Sequence, residues 1–179
     1  MESISIQSVK TDNHILGVYT NQETQLRVAL DFLKDGIKRN EMGMLITDEI
    51  PKSEIRKKIR SSWQVELDKL EANNSVVIKT TPQWYFPFAS FNIDRLMTKW
   101  SDLMNRYHEI GASGLRVFAD MTPFFRYGFS RELLIYESKL ERKLGPSVTL
   151  VCSYRYENVD RLTARQFRRL QEYHRQVWL

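Results

Sequence analysis

Between Tyr19 and Glu23 the chain has the layout of a phosphate-binding loop without the residues that such chemistry needs. The apolar strand His14-Ile-Leu-Gly-Val-Tyr19 runs into the polar turn Thr20-Asn-Gln-Glu-Thr24, and this turn opens an amphipathic helix with apolar Leu26, Ala29, Leu30, Leu33 and Ile37. A working loop of this kind needs glycines so that successive backbone amides converge on phosphate, a lysine for the outer phosphates and a hydroxyl for magnesium. Here no glycine stands between Gly17 and Gly36, no lysine between Tyr19 and Lys34, and Glu23 lies where the phosphate would sit. The layout points to a nucleotide hydrolase and the chemistry argues against one, so no catalytic residue and no cofactor is expected.

The other residues able to do chemistry are scattered. Asp120 ends an apolar strand, where a hydrolase keeps its magnesium-directing carboxylate; without a phosphate loop, a capping or wall role is expected. The three histidines, His14, His108 and His174, have no recurring carboxylate or cysteine spacing, so no metal site is expected. Cys152, the single cysteine, falls inside an apolar strand, where a thiol behaves as a small hydrophobe and has no partner for a disulfide. Glu137 shares a helix face with Leu133, Leu140 and Leu144; a buried carboxylate there wants a partner, with Arg116, Tyr154 or a ligand as candidates.

The elements that must position these residues alternate in type. Strands are expected at Ile4 to Val9, His14 to Tyr19, Met42 to Thr47, Val76 to Lys79, Leu115 to Asp120 and Val148 to Tyr154. The β-branched run at Val76 favours a strand buried on both faces. Helices are expected from Gln22 to Arg39, Lys52 to Ser62, Ser130 to Leu144 and Thr163 to His174. A further helix from Asn92 to Ile110 carries Ile93, Leu96, Met97, Trp100, Leu103, Met104 and Tyr107 at spacings of three and four. Strand and helix alternation with crossover-length connections calls for an α/β, three-layer sandwich around a mostly parallel central sheet. In such a sheet, ligands settle beyond the carboxyl ends of the strands. The segments there are rich in aromatics (Trp84, Tyr85, Phe86, Phe88, Phe124, Phe125, Tyr127, Tyr154, Tyr156), as a pocket for a small, partly apolar molecule requires.

Composition bounds the class. With 179 residues and 42% apolar content, one core and one domain over 1–179 are expected. No stretch approaches the roughly 20 apolar residues that span a bilayer, and a cytoplasmic, membrane-free protein is expected. The net charge of +5 is spread over Lys52 to Arg60, Arg126 to Lys143 and the last helix, with no nucleic-acid-binding motif beside it, so a nucleic-acid partner is not favoured.

His14-Ile-Leu-Gly-Val-Tyr19 with its following helix from Glu23 to Gly36, Asp48, Trp84-Tyr85 before Phe91-Asn-Ile-Asp94, Gly114-Leu-Arg-Val117 with Asp120-Met121, Tyr136-Glu137 and Cys152-Ser-Tyr154 together resemble the MEDS domain. This is the methanogen and methylotroph sensory domain named for DcmR-like regulators, and the likeness runs from about residue 12 to about residue 175. The resemblance implies a degenerate KaiC/RecA-like fold that senses a small hydrocarbon-derived molecule, often beside a DNA-binding domain or a histidine kinase. It marks His14, Tyr19, Trp84, Asp120, Glu137 and Tyr154 as family-typical positions and candidate ligand contacts. No output domain follows the last helix, so the expected protein is a stand-alone, non-enzymatic sensory module. Its signal would pass to a protein partner, a regulator or kinase, or through a homo-oligomer. A degenerate nucleotide-binding protein and a basic nucleic-acid accessory protein are the alternatives.

Overall fold

The computed structural model describes residues 14–145 and 147–178; the strand expected at Ile4 to Val9 lies outside them. In chain order the elements are β1 (His14–Tyr19), α1 (Gln22–Lys38), β2 (Glu41–Ile46), α2 (Lys52–Trp63), α3 (Leu67–Ala72), β3 (Val76–Lys79), α4 (Thr81–Trp84) and α5 (Ile93–Glu109). Then follow β4 (Gly114–Asp120), α6 (Thr122–Arg126), α7 (Ser130–Lys143), β5 (Val148–Arg155), α8 (Tyr156–Val159), α9 (Ala164–Glu172) and β6 (Gln176–Trp178). The strands form one sheet in the order β3-β2-β4-β5-β1-β6, and every pairing is parallel.

Local chemistry sets the helix boundaries. Asn21 caps α1 by accepting from the Thr24 amide, and Asn92 does the same for α5 at Arg95. Thr80 with Gln83, and Thr163 with Gln166, close reciprocal capping boxes at the starts of α4 and α9. After α5, Gly111 turns the chain at φ +70°, a conformation that costs glycine nothing.

The period of two along each strand sorts residues onto two faces. Ile15, Leu45, Phe118 and Val151 join Leu26, Phe32 and Leu33 of α1 and Ile55, Ile59 and Trp63 of α2 in one core. Leu16, Met44, Val117 and Cys152 join Trp100 of α5, Tyr136 of α7 and Phe124 of α6 in the other. The middle layer is therefore apolar on both sides, as a parallel sheet between helices demands.

Two elements differ from the sequence reading. β3 is an edge strand with alternating burial, since Val77 is half-buried and Lys79 exposed; its β-branched residues packed one face, not two. The last helix stops at Glu172, and β6 then pairs with β1, so that β1 becomes an inner strand. At three residues long, β6 left no periodic signal to read.

Buried charge lies between α1 and the sheet. Arg116 on β4, 1% exposed, pairs through Nε with Glu41 of β2 and through Nη1 with Asp35 of α1 at 3.1 Å. Gly36 of α1 makes room for it: a Cβ there would meet Arg116 Cδ at 2.6 Å and Glu41 Oε2 at 3.0 Å. Gly36→Ala is therefore expected to destabilise by about 1–3 kcal/mol in urea unfolding, even though alanine is the better helix former. A gain in stability would show that the arginine can move aside.

Candidate functional site

The sheet divides the six candidate residues. His14 and Tyr19 are five positions apart on one strand, so they face opposite layers. Tyr19 packs against Phe118 in the α1 layer, with ring centroids 6.0 Å apart. Asp120 is on the same side: its Oδ1 accepts from the Thr122 amide at 3.0 Å and lies 3.5 Å from Gln25 Nε2, while Oδ2 is buried without a partner. His14, Trp84, Glu137 and Tyr154 belong to the other layer, and His14 and Tyr154 both touch Glu137.

Around Asp120 protein groups fill most of the space. Only Thr20 and Asn21 separate β1 from α1, and Asn21 already occupies the Thr24 amide. Gln25 crosses to Ser153 at 2.7 Å, and the cavity left beside Asp120 is about 20 Å³, room for one water. Burial, with smaller contributions from Glu49 and Asp48, raises the Asp120 carboxyl from 3.8 to about 6 against the opposing Thr122 hydrogen bonds. Arg126 and Arg155 pair with Glu49 at the rim. A wider pocket of about 640 Å³ opens next to that cavity, past Gln22, Glu23, Glu49 and Glu54, with acidic groups where a phosphate would need amides and cations.

On the opposite face His14, Glu137, Cys152 and His174 form a sealed cluster. His14 begins β1, Cys152 is the central residue opposite Leu16 on β5, Glu137 points inward from α7, and His174 lies between α9 and β6. Glu137 Oε2 is 3.1 Å from His14 Nε2, 3.6 Å from Cys152 Sγ and 3.7 Å from His174 Nε2. His14 Nε2 is 3.4 Å from Cys152 Sγ, and the two imidazole rings lie with centroids 3.9 Å apart, tilted by 36°. Tyr154 donates its hydroxyl to the other Glu137 oxygen. Of the partners anticipated for Glu137, Tyr154 is present, whereas Arg116 is engaged with Glu41 on the far face.

The electrostatics follow from burial. Burial alone would raise the Glu137 carboxyl, yet the His14 hydrogen bond, the two imidazoles and the Tyr154 hydroxyl bring it below its ordinary value. Burial lowers His174 from 6.5 to about 4, so that ring is neutral at pH 7. Burial and then the Glu137 charge push the Cys152 thiol and the Tyr154 phenol well up. The result is a dry group of nitrogen, sulfur and oxygen donors around one carboxylate. Sequence reasoning missed the joining of His174 and Cys152 to His14 and Glu137, because the four come from segments more than a hundred residues apart at their extremes.

Trp84 lies elsewhere on this face, at the end of α4. It meets Trp100 edge-on at 5.6 Å, its indole N–H is buried without a hydrogen-bond partner among the described residues, and Lys99 sits 5.5 Å over the ring. A cleft of about 470 Å³ opens beside it between α5 and β2–β3. Met42, Met44, Val77 and Leu103 are apolar lining residues, and Lys79, Lys99 and Arg106 outnumber Asp102 among its charged ones. Of the other aromatics, Phe88, Tyr127 and Tyr156 are exposed, while Tyr85, Phe86, Phe91, Phe124 and Tyr136 pack ring against ring at 5.0 to 6.2 Å.

A parallel sheet with helices on both faces, a carboxylate closing β4 and a short, glycine-free turn from β1 to α1 make a RecA/KaiC-like fold without a phosphate-binding loop. A KaiC-like protein from the hyperthermophilic archaeon Pyrococcus horikoshii has this fold, with a TM-score of 0.62, 16% identity, and coverage of 93% of this chain and 70% of that one. The chain belongs to the MEDS family, the methanogen/methylotroph, DcmR sensory domain, whose pattern matches residues 13–175. No curated protein matches it. Among the described residues no helix is long and apolar enough to cross a membrane.

Proposed function

We propose that this sensory domain is a non-enzymatic module that binds a small organic, hydrocarbon-derived molecule in the cleft beside Trp84 and passes the signal to a protein partner. The observation that carries this reading is the unpartnered indole N–H of Trp84 next to an apolar floor. A buried donor without an acceptor costs on the order of 1–3 kcal/mol, and a ligand oxygen would remove that cost. Lys79, Lys99 and Arg106 favour an acidic or strongly polar head group on an apolar tail. Burial, with Arg95 and Lys79 nearby, lowers the Lys99 ammonium, so a carboxylate there would also relieve repulsion.

The route outward is short. Trp84 leads directly into the segment 85–90, where Phe88 and Ala89 hold φ of +61° and +55°, a backbone region that residues with side chains seldom occupy. Phe88 is 89% exposed, with Arg95 over its ring at 5.7 Å. Filling the cleft would bias the placement of Phe88, and a partner that prefers one placement would read it.

Hexanoate, hexanol and benzoate serve as probes in a thermal-shift titration, with magnesium ATP alongside. Hexanoate is expected to raise the Tm saturably and more than hexanol, with ATP inert. Trp84→Phe keeps most of the ring and loses the donor, so hexanoate affinity should fall roughly fivefold to tenfold. If none of the three organic probes shifts the Tm, or if Trp84→Phe leaves the response unchanged, the cleft is not the sensing site. Saturable, magnesium-dependent ATP binding would favour the reading as a degenerate nucleotide-binding protein instead.

A further inference from the structure

We propose that His14, Glu137, Cys152 and His174 are the four ligands of a single tetrahedral transition-metal dication of the zinc type, buried where β1, β5, α7 and the α9–β6 junction meet. Metal bonds of about 2.0–2.3 Å in a tetrahedron place the ligand atoms roughly 3.3–3.8 Å apart along each edge. Four of the six edges here measure 3.1, 3.4, 3.6 and 3.7 Å, and all four donor atoms lie within 4.8 Å of one another. The set is mixed imidazole, thiolate and carboxylate, the donors that zinc and its neighbours prefer over magnesium or calcium.

The surrounding hydrogen bonds turn each donor inward. His14 Nδ1 lies 2.9 Å from the Tyr173 carbonyl and His174 Nδ1 lies 2.6 Å from the Leu170 carbonyl. A carbonyl only accepts, so both Nδ1 atoms carry the proton, and in the neutral rings both Nε2 atoms present lone pairs to the cluster. Glu137 is held in the same way, with one oxygen accepting from Tyr154 and the other facing the two rings and the sulfur. This is the outer support that metal-bound histidines and carboxylates characteristically have. His174 Nε2, in addition, is buried with no hydrogen-bond partner. A proton can bridge one edge of this group, whereas a dication satisfies all four donors together.

Four protein ligands leave no open position, so the ion would act as a staple and not as a catalyst. It would join the first strand to the segment just before the last, and bury its binding free energy in the fold. On binding, the Cys152 thiol releases its proton to solvent and the thiolate takes the coordination position, with no change of oxidation state. The proposal is independent of the cleft beside Trp84.

The test is to unfold the full chain, strip it with chelator, and refold it with cobalt(II) or zinc(II). Expected are one ion per chain, the visible bands of tetrahedral cobalt, a near-ultraviolet thiolate-to-cobalt band and a higher Tm. Cys152→Ser should abolish the thiolate band. Tyr154→Phe, which keeps all four ligands, should weaken cobalt binding 10- to 100-fold. His108→Ala should change nothing, because His108 lies on the exposed face of α5. Refolded protein without the cobalt bands and without a Tm shift overturns the proposal. So does a thiolate band that survives in Cys152→Ser, or cobalt bands abolished by His108→Ala, either of which marks an adventitious surface ion. Should Cys152→Ser fail to fold, the wild-type spectrum and Tyr154→Phe decide.

Discussion

Glu41→Gln is expected to lower the unfolding free energy by about 3–5 kcal/mol, since it leaves the Arg116 guanidinium charged, buried and short of its main partner. Arg116 lies between β2 and α1 with 1% exposure, and Glu41 is 6% exposed. Its remaining contacts are weaker: Nη1 reaches the Phe32 carbonyl at 3.2 Å and Asp35 at 3.1 Å, the plane lies 4.9 Å over the Phe32 ring, and Nη2 has no partner. The Asp35 side chain is 27% exposed, so Asp35→Asn is expected to cost much less, about 1 kcal/mol or under. Replacing both Arg116 and Glu41 by methionine should come close to neutral, because two charges are then spared desolvation and the volume is kept. Urea unfolding of the three variants at neutral pH separates these outcomes. A Glu41→Gln variant within 1 kcal/mol of the parent would mean that Asp35 and the Phe32 carbonyl suffice to neutralise the arginine.

That ion group shows where the sequence was readable and where it was not. Helix α5 was legible because Leu96, Trp100, Leu103 and Tyr107 keep a spacing of three and four and do bury one face. The parallel α/β sandwich was legible from alternation and crossover length alone. The separation of His14 from Tyr19 was also written in the chain, because an odd distance along a strand means opposite faces. Grouping both in one crevice treated the strand ends as a single rim and ignored the thickness of the sheet. Arg116 and Glu41 are polar residues inside apolar strands, a visible signal, but register between strands decides that they meet, and no local pattern encodes register. The same holds for His14, Glu137, Cys152 and His174. A zinc finger declares itself by short repeats of ligands, whereas this cluster is assembled by two crossovers and a turn, with one ligand from each segment. The aromatic loops left two readings open, since a ring-rich segment suits both a ligand wall and a self-filled core, and Tyr85, Phe86, Phe124 and Tyr136 pack on one another.

Asp120→Asn is expected to do the opposite of most buried substitutions and stabilise the protein, by about 3 kcal/mol at pH 8, with the gain vanishing near pH 4. The carboxyl is 1% exposed, and burial raises it from 3.8 to about 6, so the folded protein prefers the neutral acid. A group raised in the folded state stabilises most below its ordinary value, and this contribution is lost as pH rises through about 6. Above that pH the chain carries a buried anion whose Oδ2 has no partner. Asparagine keeps Oδ1 as acceptor for the Thr122 amide and Gln25, and removes the charge. His174 works in the other direction: lowered to about 4, it stabilises fully above 6.5 and loses that contribution as pH falls towards 4. It is present in both proteins, so the difference between their stabilities isolates Asp120. Paired urea titrations at pH 8 and pH 4 give that difference. A loss of stability at pH 8 would mean that the anion is compensated, with Arg126 and Arg155, which pair with the neighbouring Asp48 and Glu49, as the cations at hand.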